Sequence, residues 1–426
     1  IIKSLPPQRR KKHHHRGSEG NMNIISNHRV WFYVRRIIEF SVVLVIVLYV
    51  IREMSMNTED FYKLELENVT KNDLIQKKCC GPLEPPPFSL GTDYLNIPFT
   101  QDENELHAEI KNLVEKQLNN PETLMRVKDD PKLLDTIKLT KDGFLEFPSI
   151  LDNTKIARFK YDSQPEGTVG RKVALIHIMH WNGNFDSYNE VISYIRESLL
   201  PISTLIQVPA GRGLNPGKDS PEDYESVSPN IGKTILRTQE DVQDIQLMAK
   251  YLKEKLGYEE VGLFTYSIGS LRGVLASIGN PELFNFAVFH MVADSFSDAV
   301  MDGIGTQDIA EKIGDNINRD LLDTMWATIS PGRYVDHFNN LPAKTRIVQA
   351  HYDFVFGFKN IEDFNAMVFK KRPDIELVEE KVGHSTFGRF PMSIKVLLKD
   401  IEFIYENTKM KEESRAKLFT FFDQQK

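Results

Sequence analysis

The sequence predicts an α/β fold with a mainly parallel sheet, helices on both faces and a helical insertion, preceded by an N-terminal transmembrane helix. Three observations carry this prediction. From residue 173 onwards, short apolar runs alternate with segments of helical spacing, as in a parallel sheet covered by helices. Several of these runs are mostly apolar, as expected of strands buried on both faces. A further apolar run at 37–51 predicts the membrane span.

Length and composition bound the interpretation. The chain has 426 residues, enough for one large domain with appendages or for two domains. Its formal net charge of −7 leaves no whole-chain signature of nucleic-acid binding, so we expect no nucleic-acid partner. The two cysteines, Cys79 and Cys80, are adjacent, which excludes a disulfide framework.

The N-terminal region divides into a basic tail, residues 1–29, and a predicted transmembrane signal anchor, residues 30–52. The tail carries clustered lysines and arginines against a single acid, Glu19. Because positive charge precedes the apolar run, the positive-inside rule predicts a cytoplasmic N-terminus and an extracytoplasmic main domain. A cleaved signal peptide and a buried element of the main domain are the alternatives. No small-residue cleavage site follows Ile51, which disfavours the signal peptide.

Residues 53–135 are interpreted as a linker and helical extension. Prolines at 82 and 85–87 interrupt any helix in the first part of this segment. In ENELHAEIKNLVEKQL, residues 103–118, apolar residues recur at helical spacing. The segment therefore predicts one amphipathic helix ahead of the main domain.

The main domain is predicted to cover residues 136–410, with a C-terminal tail at 411–426. It begins with three short antiparallel strands, TIKLT, FLEFPSIL and KIARFKY. The later strands are predicted at 173–178, 203–208, 261–265, 285–293, 345–350 and 375–380, and the helices at 185–200, 238–256, 360–370 and 391–407. The loops after parallel strands meet at one edge of the sheet, where functional groups collect.

Residues 259–273, EEVGLFTYSIGSLRG, have the layout of a nucleophile elbow, a strained strand-to-helix turn that exposes a serine hydroxyl. Ser267 occupies the predicted turn. Gly269 supplies a small residue two positions later, where the strand and helix backbones nearly touch. Thr265 stands where the usual G-x-S-x-G pattern has a glycine. The alternative is a serine in an ordinary turn after a core strand.

Two more predicted strands end in residues that suit a serine nucleophile. Asp353 and His384 each follow a strand of their own, in the chain order Ser, Asp, His. On these residues the chain resembles the α/β-hydrolase superfamily over about residues 165–410. The resemblance implies an α/β-hydrolase-type sheet, with Ser267 as nucleophile and His384 as general base. It also implies that Asp353 orients the imidazole.

Asp294 is the rival candidate for the triad acid. It comes directly after the strand 285–293, and some superfamily members take their acid from that earlier strand. Asp353 is favoured because its spacing before His384 is ordinary and because it opens its loop directly.

An oxyanion hole requires two backbone donors aimed at the developing negative charge. The resemblance implies that one is the N–H of Ile268, the residue after the nucleophile. The other is expected in the loop after strand 173–178, where Trp181 or Asn182 is the candidate. This loop lacks the consecutive glycines found in many superfamily members.

The helical insertion near residues 297–340 lies between the two strands that precede the candidate acids. Superfamily members often place a lid over the serine at this point. Its apolar residues would either line an acyl pocket or form the packing of the insertion itself. They are Met301, Ile304, Ile309, Ile313, Leu321, Leu322, Met325 and Trp326.

These features predict a membrane-anchored serine hydrolase that cleaves a carboxylic ester through an acyl-serine intermediate, without metal or organic cofactor. The expected partners are a small-molecule or lipid-like ester and, through the N-terminal helix, a membrane. An acyltransferase would use the same triad. A catalytically inactive hydrolase-like binding protein is the second alternative, favoured by Thr265 and the unusual oxyanion loop and disfavoured by the ordered triad.

Overall fold

One mixed sheet organises the part of the chain that the structure describes. The computed structural model describes residues 57–80, 85–95, 103–153, 155–164, 172–180, 185–200, 202–208, 226–388 and 392–408. The strands are β1 (Lys138–Leu139), β2 (Phe144–Pro148), β3 (Ile156–Asp162), β4 (Val173–Ile178), β5 (Ser203–Gln207), β6 (Glu260–Tyr266), β7 (Phe286–His290), β8 (Lys344–Tyr352) and β9 (Glu376–Gly383). Within these residues, the strand order is β1-β2-β3-β5-β4-β6-β7-β8-β9.

The strand pairing confirms the predicted mainly parallel sheet. From β5 across β4, β6, β7 and β8 to β9, all neighbouring strands are parallel. The first three strands pair antiparallel with one another, and β3 joins them antiparallel to β5. This agrees with the antiparallel start that the sequence predicted.

Helices connect the strands and precede the sheet. They are α1 (Thr58–Cys80), α2 (Glu103–Asn119), α3 (Pro121–Leu124), α4 (Pro131–Asp135), α5 (Phe185–Ser198), α6 (Ile231–Glu254), α7 (Ile268–Gly279), α8 (Phe296–Met301), α9 (Gln307–Ile313), α10 (Arg319–Trp326), α11 (Phe358–Lys371) and α12 (Met392–Asn407). Helix α6 begins before the predicted residue 238, because the side chain of Asn230 accepts a hydrogen bond from Lys233 N and caps the helix there.

Alternate residues of the central strands point to opposite faces of the sheet. In β4, Ala174 and Ile176 pack into the apolar cluster that contains residues of α6 and α7. Val173 and Leu175 pack into a second cluster, which contains residues of α5 and α12. Burial on both faces explains why five of the six residues of VALIHI are apolar, without an alternation of polar and apolar positions.

The transmembrane part of the fold prediction is corrected. In the described ranges, no helix combines the length and the apolar character needed to cross a membrane. The predicted anchor, residues 30–52, and the basic tail lie outside the described residues.

Helix α1 occupies residues that the sequence analysis interpreted as linker. Its residues Phe61 and Glu65, four positions apart and therefore on one face, are 2% and 0% exposed. The Phe61 ring stacks on Tyr352 at the end of β8, with 4.5 Å between ring centroids. A charged residue on the buried face breaks the apolar periodicity by which helices are recognised, so the sequence pattern did not reveal this helix.

The predicted insertion, residues 297–340, is helical. It contains most of α8, then α9, α10 and, over Pro331–Asn340, 3₁₀ turns with a kink at Tyr334. Its main apolar side chains lie in the central core rather than in an open pocket. At most 1% of Ile309, Ile313, Leu322, Met325 and Trp326 is exposed.

Candidate active site

Ser267 lies between β6 and α7 in a strained backbone conformation. Its φ of 57° and ψ of −127° are unusual for a residue with a side chain. Two backbone N–H groups hold the turn, because Ser270 N and Leu271 N donate to Ser267 O at 2.7 and 3.3 Å. This strand-turn-helix geometry is that of a nucleophile elbow, which lifts the serine hydroxyl out of the backbone.

Close packing explains why residue 269, two positions after the serine, is a glycine. A Cβ on Gly269 would lie 2.6 Å from the carbonyl oxygens of both Ile178 and Met179. Real Cβ atoms are not found so close to backbone oxygens. The end of β4 therefore lies directly against the start of α7, and only glycine fits between them.

Thr265 is accommodated by a glycine on the facing helix. A Cβ on Gly273 would lie 2.9 Å from Thr265 Cγ2, so the absence of a side chain in α7 makes room for the larger residue in β6. The Thr265 hydroxyl lies 2.9 Å from Ser270 Oγ, which also satisfies its polar group. The departure from glycine at this position is therefore compatible with the elbow.

The structure brings Ser267, His384 and Asp353 together. His384 Nε2 lies 2.8 Å from Ser267 Oγ, and His384 Nδ1 lies 2.7 Å from Asp353 Oδ2. Both are hydrogen-bond distances. When Nδ1 donates to the carboxylate, Nε2 is left as the acceptor that faces the serine hydroxyl.

Asp353 is fixed by its own loop. It is fully buried, and Asp353 Oδ1 accepts hydrogen bonds from Val355 N at 3.0 Å and Phe356 N at 2.8 Å. The other oxygen is then oriented toward the histidine. The Phe356 ring meets the His384 ring edge-on, with centroids 5.0 Å apart, and covers the pair from one side.

The surroundings of His384 favour its protonated form. Burial lowers the pKa of His384, but the charge of Asp353, their hydrogen bond and the charge of Glu65 together raise it above the ordinary histidine value. An imidazolium formed at this position would therefore be stabilised.

The rival acid, Asp294, is not joined to His384. No hydrogen bond between described residues connects the two, and the buried Oδ1 of Asp294 has no hydrogen-bond partner among them. Burial raises the pKa of Asp294. The carboxyl lies against Gly332, whose absent side chain leaves room for it. The geometry therefore favours Asp353 as the triad acid.

The oxyanion-hole candidates are placed only in part. Ile268 is the first residue of α7, and the N–H groups of a first helical turn have no partner within the helix. Its N–H is thus suited to meet negative charge beside Ser267. Trp181 and Asn182 lie outside the described residues, so the second donor stays a prediction.

Sequence reasoning missed Glu65, which reaches the site from α1. Its carboxylate accepts hydrogen bonds from the backbone of the residues that follow His384. Neighbouring glutamates, such as Glu59 and Glu67, look alike in the sequence. No signal in the chain distinguishes the buried one.

Comparisons with known proteins concern the fold. No protein-family model and no curated protein sequence matches the chain. Solved structures that match include Pyrococcus horikoshii acylaminoacyl peptidase, at 14% identity over 65% of this chain and 43% of that chain, with a TM-score of 0.48. Acetyl xylan esterase 1 from a Thermoanaerobacterium species matches at 15% identity over 72% and 99%, with a TM-score of 0.48. Carboxyl esterase 2 from Tuber melanosporum matches at 17% identity over 65% and 88%, with a TM-score of 0.42.

All three matches have TM-scores below 0.5, and the resemblance to the α/β-hydrolase superfamily rests on the chain's own residues and site geometry. The match covers less than half of the peptidase chain. At such low identities the likeness extends to the fold and not to the substrate.

Proposed function

We propose that the chain is a serine hydrolase that cleaves a carboxylic ester through an acyl-serine intermediate. The observation that carries the proposal is the unbroken hydrogen-bonded chain from Asp353 through His384 to Ser267, with links of 2.7 and 2.8 Å. The strained turn at Ser267 supports it, because a strained turn serves a nucleophile and has no evident use in an ordinary strand-to-helix turn.

The first half of the reaction acylates the serine. Ser267 Oγ attacks the ester carbonyl carbon while its proton passes to His384 Nε2. The carbonyl oxygen becomes an oxyanion, which the N–H of Ile268 is suited to stabilise. The tetrahedral intermediate then collapses, the C–O bond to the alcohol breaks, and the imidazolium gives its proton to the leaving alkoxide.

The second half releases the acid. A water molecule gives a proton to His384 Nε2 and attacks the acyl carbon, and collapse of the second tetrahedral intermediate returns the proton to Ser267. Asp353 holds the imidazole in the required tautomer throughout. An ester is the substrate class that we favour, since an alkoxide is a better leaving group than the amide anion that an amide substrate would have to expel.

Covalent labelling tests the proposal. A fluorophosphonate probe should label the wild-type protein and fail to label Ser267→Ala, because the probe reacts only with an activated hydroxyl. Ser163→Ala is the matched control, since Ser163 is exposed and should not contribute to labelling. A series of p-nitrophenyl esters of increasing acyl length then measures which acyl groups are turned over.

Two results would contradict the proposal. Labelling that survives in Ser267→Ala would place the reactive serine elsewhere. A folded wild-type protein that neither labels nor hydrolyses any of the esters would leave the inactive binding scaffold as the better hypothesis.

A further inference from the structure

We propose that Glu65 is a positioning residue for His384, so that helix α1 is part of the catalytic apparatus. This inference rests on the proposed function, in which His384 is the general base. It assigns a role to a residue outside the triad and outside the sheet.

The carboxylate of Glu65 is enclosed by the turn that follows His384. Glu65 is 0% exposed, and its two oxygens accept hydrogen bonds from Ser385 N at 2.8 and 2.9 Å. Thr386 N donates to the same carboxylate at 3.2 Å. Hydrogen bonds from backbone N–H groups to a charged acceptor are among the stronger ones in proteins. Glu65 therefore stabilises the backbone turn that directly follows the proposed catalytic base, His384.

The residue before His384 is shaped to admit this carboxylate. A Cβ on Gly383 would lie 2.2 Å from Glu65 Oε1, so any other residue there would push the carboxylate away. Thr386 Oγ1 closes the turn by accepting from Gly383 N at 2.8 Å. Backbone groups on both sides of the histidine thus depend on the position of Glu65.

Helix α1 also contacts the loop that carries the triad acid. Phe61 stacks on Tyr352, and Tyr62 meets Phe354 edge-on with 5.0 Å between centroids. Tyr352 and Phe354 are the two neighbours of Asp353 in the chain. One helix therefore contacts both the acid loop and the base loop, and sets their distance from each other.

Glu65 also acts on His384 through its charge. In the described part of the chain, the charged groups that act on His384 are Asp353 on the β8 loop and Glu65 on α1, and both raise its pKa. Replacing Glu65 with a neutral residue should lower that pKa. A residue that only braced the helix would not change the titration of the histidine.

The test compares Glu65→Gln with Glu65→Asp and Glu67→Gln in the full-length chain. We expect Glu65→Gln to lower kcat/KM for a p-nitrophenyl ester about 10-fold or more, since small displacements of a catalytic group are costly. In the pH profile of kcat/KM for Glu65→Gln, the acid limb should move to lower pH. Glu65→Asp keeps the charge but is shorter, so kcat/KM should fall while the acid limb stays. Glu67 is exposed on the same helix, and Glu67→Gln should behave as wild type.

The titration of His384 is followed independently by NMR of its ring protons, assigned with His384→Asn. If the wild type neither labels with fluorophosphonate nor hydrolyses esters, the proposed function fails, while the NMR titration of Glu65→Gln still tests the coupling. Wild-type kcat/KM and an unshifted titration in Glu65→Gln overturn the inference. Equal losses of kcat/KM in Glu65→Gln and Glu65→Asp, with an unshifted titration of His384, also overturn the inference. Such losses would indicate that Glu65 has only a structural role.

Thermal unfolding of each variant shows whether it folds. If Glu65→Gln does not, Glu65→Asp carries the test. A lower kcat/KM at an unchanged midpoint of thermal unfolding then supports the inference, because a residue with only a structural role would lower the midpoint as well. A wild-type kcat/KM, or a loss that accompanies a lower midpoint, overturns it.

Discussion

In the described part of the chain, two histidine–aspartate pairs lie at similar hydrogen-bonding distances, and they differ in what the second nitrogen of the imidazole contacts. In the first, His384 is bonded to Asp353 at 2.7 Å and its second nitrogen faces the hydroxyl of Ser267. In the second, His290 Nε2 lies 2.8 Å from Asp400 Oδ2, and both side chains are fully buried.

The remaining contacts of the second pair are all with fixed partners. His290 Nδ1 lies 2.8 Å from the carbonyl oxygen of Thr265, and Arg346 Nε donates to the other oxygen of Asp400 at 2.9 Å. The Tyr266 ring stacks on His290 with 4.2 Å between centroids. No nitrogen is left to face a reactive group.

The contacts of the second imidazole nitrogen distinguish the two pairs, and the proposed function gives a catalytic role only to the first. The second pair also contacts the elbow, because the backbone carbonyl oxygen of His290 accepts a hydrogen bond from Ser267 N at 2.9 Å. This bond helps to fix the turn at Ser267. We therefore expect changes in the first pair to affect turnover and changes in the second to affect stability.

The largest expected effect is on turnover, in Asp353→Asn. The amide would favour the wrong imidazole tautomer, so kcat for ester hydrolysis should fall by about 10⁴-fold. The fold should persist, because the oxygen of the new side-chain amide can still accept from the backbone of its loop. Steady-state kinetics and circular dichroism measure the two quantities. A variant with kcat within a few-fold of wild type would contradict the assignment of Asp353 and reopen the case for Asp294.

The matching change in the second pair, Asp400→Asn, should affect stability instead. Removing one partner from a buried ionic network leaves uncompensated polar groups, and the free energy of unfolding should fall by about 3–5 kcal/mol. Urea denaturation measures this change. The folded protein should retain kcat within a few-fold. Loss of kcat at unchanged stability would mean that the second pair takes part in the reaction.

Asp244 is another buried carboxylate, and its hydrogen-bond partners are neutral groups. Ser149 Oγ donates to it at 2.6 Å and Ile150 N at 3.1 Å. Burial raises the pKa of Asp244 to about 7. Below about pH 4 both the folded and the unfolded state hold the proton. As the pH rises to about 7 only the unfolded state loses it, so the contribution of Asp244 to stability is lost over this range.

Asp244→Asn should remove this pH dependence. Relative to wild type, the variant should gain on the order of 2–4 kcal/mol in free energy of unfolding between pH 4 and pH 8. Urea denaturation at a series of pH values measures the gain. Asp142→Asn, a change at an exposed acid, is the control and should follow the wild-type curve. Parallel curves for Asp244→Asn and wild type would contradict the prediction.

The smallest expected effect is a displaced pH profile. His384 acts as a base only when neutral, and its pKa is raised by Asp353 and Glu65 against the lowering effect of burial. The acid limb of kcat/KM should therefore lie above the ordinary histidine value, and activity should rise with pH through it. In high salt the limb should change little, since the charges are buried. An acid limb at or below the ordinary histidine pKa would contradict the proposed effect of Asp353 and Glu65 on His384.

Local residue patterns were enough to predict the sheet and the elbow. Strand β4 has the predicted bounds, 173–178, because a strand buried on both faces is mostly apolar, and His177 is its one polar residue. No described helix is long and apolar enough to cross a membrane, and this finding corrects the transmembrane part of the fold prediction. The span itself lies outside the described residues.

Taken alone, the sequence determined the order of the strands along the chain and the three residues Ser267, Asp353 and His384 as candidates. Both follow from short-range patterns: apolar runs, a small residue after the serine, and polar residues at strand ends. The tertiary structure was needed to show which candidate acid is hydrogen-bonded to His384, because that depends on which loop reaches the imidazole, and it is the loop of Asp353. The tertiary structure alone brought Glu65 to the turn after His384, since the contact joins residues 320 positions apart in the chain, beyond the reach of any local pattern.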